Sequence, residues 1–211
     1  PRCGGRLVTG PTPTKVVVTG GAGFIGANLV RRLLDEGHQV VVLDDLSTGD
    51  RANLAEVEDR IVFHEGTVLD PATLDAAVAG AVAVVHLAAR PSVPRSIDDP
   101  VATHVANADG TLAVLEAARR AGAAVGGTAP QVIVASSSSV YGANPVLPKG
   151  EDLVARPRSP YAASKLAAES YALAYHHTSS DPDGQHGSRY AWMPPDGNEP
   201  PETTTPLAST A

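Results

Sequence analysis

From residue 15 onward, the chain alternates between short apolar runs and segments whose apolar residues recur at helical spacing. The runs are rich in β-branched residues and predict buried strands: Lys15–Thr19, Gln39–Leu43, Arg60–His64, Val82–His86 and Gln131–Ala135. The intervening and following segments repeat apolar residues every three or four positions, which predicts amphipathic helices. One helix is predicted to carry Ile25, Leu29 and Leu33 on its apolar face, a second to begin near Pro71, a third to run from about Asp99 to Ala121, and a fourth from about Ser159 to His176.

This alternation predicts the fold class. Strands that are apolar throughout are buried on both faces, and helical crossovers between them indicate an α/β fold with a parallel sheet. Since such crossovers are right-handed, we expect a doubly wound sheet with helices on both faces and the strand order 3-2-1-4-5.

The pattern divides the chain into three parts. Residues 15–177 form the predicted α/β domain, and residues 1–14 an irregular N-terminal extension. Residues 178–211 contain six prolines and no apolar periodicity, with one apolar cluster at Tyr190–Met193. We therefore predict an irregular or disordered tail, which would leave the fifth strand as a bare sheet edge.

Composition excludes several classes of function. A net charge of −7 over 211 residues, without a basic stripe, argues against nucleic-acid binding. The single cysteine, Cys3, excludes an internal disulfide framework and a cysteine-based zinc site, and His176-His177 diverge on a helix and do not chelate together. Neither a membrane span nor a signal peptide is predicted from the apolar runs, so the expected location is cytoplasmic.

A glycine-rich turn follows the first strand. Gly20, Gly23 and Gly26 are equally spaced in Gly20-Gly21-Ala22-Gly23-Phe24-Ile25-Gly26 and lead into the first predicted helix. Glycines at these positions permit a tight turn, a close approach of the backbone to a pyrophosphate, and close packing of the helix on the sheet. The positive end of the helix dipole then favours the phosphates of a dinucleotide.

An acidic residue at the end of the second strand selects the dinucleotide. Asp44 lies 18 residues beyond Gly26, where a carboxylate accepts hydrogen bonds from the ribose hydroxyls of adenosine and repels a 2′-phosphate. The sequence therefore predicts NAD rather than NADP. Asp45 has two readings, a cofactor contact or the cap of the following turn.

Tyr161 and Lys165 lie one turn apart on the last predicted helix. A cation beside a phenol favours the phenolate, so the pair is suited to general-base chemistry. The fifth strand ends in the hydroxyl-rich run Ser136–Ser139, at the sheet edge where doubly wound folds bind ligands.

Together these motifs resemble the extended short-chain dehydrogenase/reductase family, specifically its NAD-dependent nucleotide-sugar epimerases and dehydratases. The matching stretches, in the family's order, are residues 19–26, Asp44–Gly49, His86–Ala89, Asn107 with Gly110-Thr111, Ser136–Gly142 and Ser159–Lys165.

The resemblance implies roles for individual residues. Tyr161 would be the general base that takes the proton of the sugar 4′-hydroxyl while NAD⁺ takes the C4′ hydride. Lys165 would hold the nicotinamide ribose, and Ser137 would bind the reacting hydroxyl. The implied cofactor contacts are Gly20, Gly23, Phe24, Ile25, Gly26, Asp44, Asp45, Leu46, Ser47, Leu87, Ala88, Ala89, Asn107, Tyr161 and Lys165; the implied substrate contacts are Ser92, Ser137, Ser138 and Tyr161.

The serine run separates the subclasses of the family. Dehydratases carry an acid in this run to eliminate water, whereas Ser137-Ser138-Ser139 offer no carboxylate. Ser92–Ile97 and Leu147–Asp152 look most like 4-epimerases of UDP-glucose or UDP-N-acetylglucosamine, so a UDP-sugar is the expected substrate and a homodimer the expected assembly. Arg95 is a further residue that could face the substrate.

The sequence departs from the family in two places. Thr67 follows Gly66 where the family usually has an aspartate that contacts adenine. Nothing in residues 178–211 resembles the family's substrate domain, so a C-terminally truncated chain is expected. The alternative reading is therefore an NAD-binding remnant without activity.

Overall fold

The computed structural model describes residues 13–178 and 190–193, with side chains from residue 13 to 176. Most of the predicted N-terminal extension and most of the tail lie outside these ranges. The described strands form one parallel sheet in the order β3-β2-β1-β4-β5-β6. They are β1 (Lys15–Thr19), β2 (Gln39–Asp44), β3 (Ile61–Glu65), β4 (Ala83–His86), β5 (Gln131–Ala135) and β6 (Tyr190–Met193). The predicted fold class and the order of the first five strands are confirmed.

The sixth strand corrects the prediction that β5 is a bare sheet edge. β6 pairs with β5 in register from Val132↔Tyr190 to Ala135↔Met193, so β5 is an inner strand and not a bare edge. A four-residue apolar run is too short to show periodicity, and it becomes a strand because pairing satisfies backbone groups that β5 would otherwise leave open.

Helices cover both faces of the sheet. They are α1 (Phe24–Asp35), α2 (Pro71–Val78), α3 (Val93–Asp98), α4 (Pro100–His104), α5 (Gly110–Ala124) and α6 (Pro160–Thr178). Successive strand residues point to opposite faces. Val18 and Val42 therefore pack on α1 through Val30, whereas Val17 packs with Leu74 of α2, Leu115 of α5 and Ala168 of α6.

The buried face of α1 agrees only in part with the predicted one. Ala27, Val30 and Leu34 are buried, and the predicted Leu29 and Leu33 are partly buried against the same cluster. Ile25, in contrast, is 67% exposed. The predicted apolar face therefore holds for Leu29 and Leu33 and is wrong for Ile25.

The long helix predicted from Asp99 to Ala121 is interrupted. The Asp99 side chain accepts a hydrogen bond from the backbone N–H of Ala102, with Pro100 in the first turn, and so starts α4. A π-helical turn at Val105–Asp109 then joins α4 to α5. Val101, predicted to lie on the apolar face, is 71% exposed. The short α3, capped by Ser92, was not predicted.

Candidate active site

An open pocket lies across the carboxyl ends of β1, β2, β4 and β5. Its volume is about 800 Å³, within the usual size of a ligand site. Its lining joins the glycine turn, Asp44 and the Tyr161–Lys165 pair, which are far apart in the sequence. The parallel sheet brings them together because all of its strands end at the same edge.

Most predicted site residues line this pocket. They are Gly20, Gly23, Phe24, Ile25, Gly26, Asp44, Asp45, Ser47, Leu87, Ala88, Ala89, Tyr161 and Lys165. Within the described part of the chain, five predicted contacts are not among the lining residues: Leu46, Ser92, Asn107, Ser137 and Ser138.

The glycine turn is packed so tightly that side chains are excluded. Gly20 has a φ of +72°, and a Cβ there would lie 2.6 Å from the backbone nitrogen of Ala88. A Cβ on Gly26 would overlap the carbonyl oxygen of Gly20. Gly23 precedes α1 and offers no side-chain cap, so the first amide groups of that helix are left for a ligand such as a pyrophosphate.

Asp44 has a structural role that the sequence did not indicate. Its two carboxylate oxygens accept hydrogen bonds from the backbone N–H groups of Ala22 and Leu46, each at 2.9 Å. The first bond ties the glycine turn to the end of β2, and the second supports the left-handed conformation of Leu46, whose φ is +57°. Because a carboxylate oxygen accepts more than one hydrogen bond, Asp44 can still accept from a ribose.

Asp45 caps the turn that follows. Its side chain is exposed and accepts a hydrogen bond from the backbone N–H of Ser47 at 2.9 Å. Since Asp45 also lines the pocket, both of the readings left open by the sequence are compatible with its position.

A buried hydrogen-bond network lies beneath the pocket. His86, at the end of β4, bonds through Nδ1 to the Thr19 hydroxyl at 2.7 Å and through Nε2 to the Thr111 hydroxyl at 3.1 Å. Thr111 donates its own proton to the carbonyl of Asn107, and Thr19 accepts from the N–H of Ala88. Burial, together with the charge of Lys165, lowers the pKa of His86 to about 3.

Asn107 acts within this network rather than at the pocket surface. Its carboxamide oxygen accepts from the N–H of Arg90 at 2.7 Å, and its amide group donates to the Ser164 hydroxyl at 2.9 Å. Ser164 in turn donates to the carbonyl of Tyr161 at 2.8 Å. Asn107 therefore links the loop after β4 to the first turn of α6.

Tyr161 and Lys165 are held by the local structure of α6. The Ser159 hydroxyl accepts from the N–H of Ala162 at 3.1 Å and so caps the helix near its predicted start. Lys165 is only 7% exposed and donates to the carbonyl of Ala135 at 3.0 Å. Burial lowers the pKa of Lys165 to about 8, although the Glu169 carboxylate opposes this by favouring the charged form.

The serine run is divided between the pocket lining and the turn that follows β5. Ser136 lines the pocket, whereas Ser137 begins a 3₁₀ turn at Ser138–Tyr141 and its hydroxyl bonds to Ser139. Ser138 is exposed. The position of each hydroxyl depends on the turn that follows β5, which the run of identical residues does not reveal.

Other lining residues were missed in the sequence or left open there. Arg95 does face the pocket, and Arg90, Pro91 and Ser136 join it there. Ser136 also donates a hydrogen bond to Glu169. The one sequence signal for Glu169 is its position four residues after Lys165, on the same face of α6.

Two observations bear on other kinds of site. Among the described residues, no group of histidine, cysteine, aspartate and glutamate side chains is placed to hold a metal ion. None of the helices described in residues 13–178 combines the length and apolarity needed to span a bilayer.

Comparison with known proteins agrees with the chemistry of the pocket. Residues 16–182 match the model of the NAD dependent epimerase/dehydratase family. The chain belongs to this family. Its description names NAD, which confirms the predicted cofactor at the level of the family.

Individual relatives include both subclasses. A UDP-glucose 4-epimerase of Mycolicibacterium smegmatis is 44% identical over 76% of this chain and 51% of its own length. A dTDP-glucose 4,6-dehydratase of Streptomyces niveus is 39% identical over 78% of this chain and 50% of its own. The crystal structure of a UDP-glucose 4-epimerase from Brucella ovis in complex with NAD is 34% identical, with a TM-score of 0.71, over 85% of this chain and 50% of that one. The chain therefore spans about half the length of the curated relatives it matches.

Proposed function

We propose that this chain acts in the NAD-dependent 4-epimerisation of a UDP-sugar, by transient oxidation at C4′. The observation that carries the proposal is one pocket that joins a dinucleotide-type glycine turn, an acid at the end of β2 and the Tyr161–Lys165 pair. The 44% identity to a UDP-glucose 4-epimerase supports it.

The cofactor half of the pocket suits NAD. The N-terminus of α1 would receive the pyrophosphate, and Asp44 would accept the adenosine ribose hydroxyls with the lone pairs that Ala22 and Leu46 leave free. A 2′-phosphate would meet the buried carboxylate of Asp44 and be repelled. When bound, NAD supplies the site that accepts a hydride from the sugar and returns it.

At the sugar, the residues of α6 and the serine run share the proton chemistry. Tyr161 would take the proton of the 4′-hydroxyl, and the Lys165 cation one turn away would favour the phenolate. Ser136 lines the pocket, and Ser137 follows it at the start of the 3₁₀ turn. We assign Ser137 to the reacting hydroxyl, which requires its hydroxyl to turn away from Ser139. Ser92 and Ser138 would contact the substrate from the rim.

Epimerisation is favoured over dehydration by the absence of a carboxylate in the serine run. Removing water from a sugar needs an acid beside the tyrosine, and residues 136–139 supply only hydroxyl groups. Glu169 bonds to Ser136 but is not among the residues that line the pocket. Because a dTDP-glucose 4,6-dehydratase is also among the relatives, the experiment below includes dehydration as an alternative.

We further propose that the chain forms a homodimer through α4 and α6. These helices pack against each other and carry exposed apolar side chains, with Val101 71% and Leu173 52% exposed. A second copy would remove this apolar surface from water.

The proposal is tested by measuring NAD binding and turnover separately on one preparation. NAD is titrated by calorimetry, and the conversion of UDP-glucose and of UDP-N-acetylglucosamine to their 4-epimers is followed by chromatography. The Tyr161→Phe variant should retain NAD binding and lose turnover by at least ~100-fold, because it removes the proton acceptor and little else. Tyr171→Phe, on the same helix and 40% exposed, is the matched control and should retain both.

Each alternative has its own outcome. NAD binding without conversion of either sugar would refute the epimerase activity of this chain and support a cofactor-binding role alone. A 4-keto-6-deoxy product from dTDP-glucose would favour the dehydratase. Unchanged turnover in Tyr161→Phe would refute the proposed base.

A further inference from the structure

Two side chains of α6 hold the end of β5 at consecutive residues. Lys165 donates to the carbonyl of Ala135 at 3.0 Å, and Glu169, one turn later, accepts a hydrogen bond from the Ser136 hydroxyl. Ala135, the last residue of β5, and Ser136, which follows it, both line the pocket. The pair therefore fixes the ammonium group and the pocket wall against each other.

The Lys165 ammonium group is in a position where its charge is costly. It is 7% exposed, and burial lowers its pKa to about 8. The Glu169 carboxylate acts in the opposite direction and favours the charged form. At residues four apart on a helix, oppositely charged side chains are close enough for this effect.

Among the residues whose side chains the structure describes, few other ionisable groups face this end of the pocket. Tyr161 lies one turn earlier on α6, His86 approaches from β4, Tyr141 lies in the 3₁₀ turn, and Arg90 and Arg95 line the pocket. β5 carries no ionisable side chain. Charged groups on other elements packed against α6 have their own contacts: Asp99 with Arg90, His104 with Asp109, and Glu116 with Arg119 and Tyr175.

We propose that Glu169 is a positioning residue that keeps Lys165 charged and aligned on β5, so that the Tyr161–Lys165 pair is ready for proton transfer at neutral pH. This inference rests on the proposed function of that pair. Glu169 acts through Lys165 and Ser136, and it need not touch substrate or cofactor.

Loss of the Glu169 charge is expected to change the charged fraction of Lys165 near pH 7. With a pKa of about 8, roughly nine-tenths of Lys165 is charged at pH 7. Loss of a nearby opposite charge shifts a pKa by about one or more, which would leave about half of Lys165 charged or less.

The test measures Lys165 directly and does not depend on turnover. Competitive labelling with acetic anhydride between pH 6 and pH 10, read by peptide mass spectrometry, gives the apparent pKa of Lys165 in wild type and variants. Glu169→Gln should lower it by about 1, because the isosteric amide keeps a partner for Ser136 and removes the charge. Ser136→Ala should lower it by less, because the carboxylate stays but is no longer held in place.

The matched control is Glu116→Gln. Glu116 also accepts a hydroxyl hydrogen bond between α6 and a neighbouring element, from Tyr175, but it does not act on Lys165. It should leave the apparent pKa of Lys165 unchanged. Circular dichroism establishes that each variant is folded.

An apparent pKa of Lys165 that is the same in Glu169→Gln and wild type would overturn the proposal. If Glu169→Gln does not fold, Ser136→Ala decides: a lowered value supports the proposal, and an unchanged value overturns it. Since labelling is independent of NAD and sugar, these results differ from a failure of the epimerase assay, which would leave the labelling result intact.

Discussion

His86 has only one arrangement of protons that satisfies its neighbours. The single hydroxyl proton of Thr111 goes to the carbonyl of Asn107, so Thr111 must accept from Nε2–H of His86. The Thr19 hydroxyl accepts from the N–H of Ala88 and is then free to donate to Nδ1. A protonated ring would place a second N–H against Thr19 and a second buried charge near Lys165. The hydrogen-bond network therefore requires His86 to be neutral.

Because His86 must stay neutral in the folded protein, the stability of the fold depends on pH. Burial lowers the pKa of His86 from its usual 6.5 to about 3, so the unfolded state binds the proton first as pH falls. Stability is complete above about pH 6.5 and declines from there towards pH 3. Between pH 7.5 and pH 5.5, one such histidine costs about 1.4 kcal/mol of unfolding free energy.

The effect is measured by urea unfolding of wild type and His86→Gln at these two pH values. Glutamine can donate to Thr111 and does not titrate, so the variant should lose about 1.4 kcal/mol less than wild type over this interval. The lowered pKa of Glu116, about 2, affects the comparison only at more acidic pH. Equal losses in both proteins would show that His86 is not the titrating group.

The π-helical turn between α4 and α5 places Asn107 where it can reach two other elements. Its oxygen satisfies the N–H of Arg90 in the loop after β4, and its amide group reaches Ser164 on α6. π-turns within helices are rare and often occur at functional sites. Through Asn107, this turn links the loop after β4, which lines the pocket, to α6, the helix that carries Tyr161.

Truncation of this side chain tests that role. Asn107→Ala leaves the N–H of Arg90 without its acceptor in a partly buried position and removes the buried bond to Ser164. We expect a loss of about 1–3 kcal/mol in unfolding free energy. Asn28→Ala removes an exposed bond to the carbonyl of Phe24 and should cost clearly less. Denaturant melts compare the two, and equal costs would contradict a linking role for Asn107.

For the molecule as a whole, the parallel sheet determines where chemistry can occur. The glycine turn, Asp44, Ser136 and the α6 pair come from separate segments, and all lie at the carboxyl edge of the strands. The exposed apolar side chains of Val101 on α4 and Leu173 on α6 are not among the residues that line the pocket.

The proposed homodimer is tested at this level. A double variant with Val101→Glu and Leu173→Glu should halve the molar mass measured by light scattering, because buried charges at an interface are costly. Val62→Glu is the control, since Val62 is 56% exposed on β3 and far along the sheet from α6. A wild-type protein of monomeric mass would refute the dimer.

Local patterns were sufficient to predict much of this protein. Continuous apolar runs identified β1 to β5, helical spacing located α1, α2 and α6, and the rule for right-handed crossovers ordered the first five strands correctly. The glycine turn and Asp44 were recognisable because the backbone geometry of a dinucleotide site demands particular residue types at fixed spacing.

What depends on contacts between distant segments could not be predicted in this way. The pairing of β6, the choice of Ser136 over Ser137 in the pocket lining, and the break between α4 and α5 all follow from how elements pack. The same holds for Glu169 beside Lys165 and for the protonation of His86, since a side chain's charge state depends on its burial and partners. Spacing along the chain specifies the backbone of each motif, and packing specifies which neighbours its side chains meet.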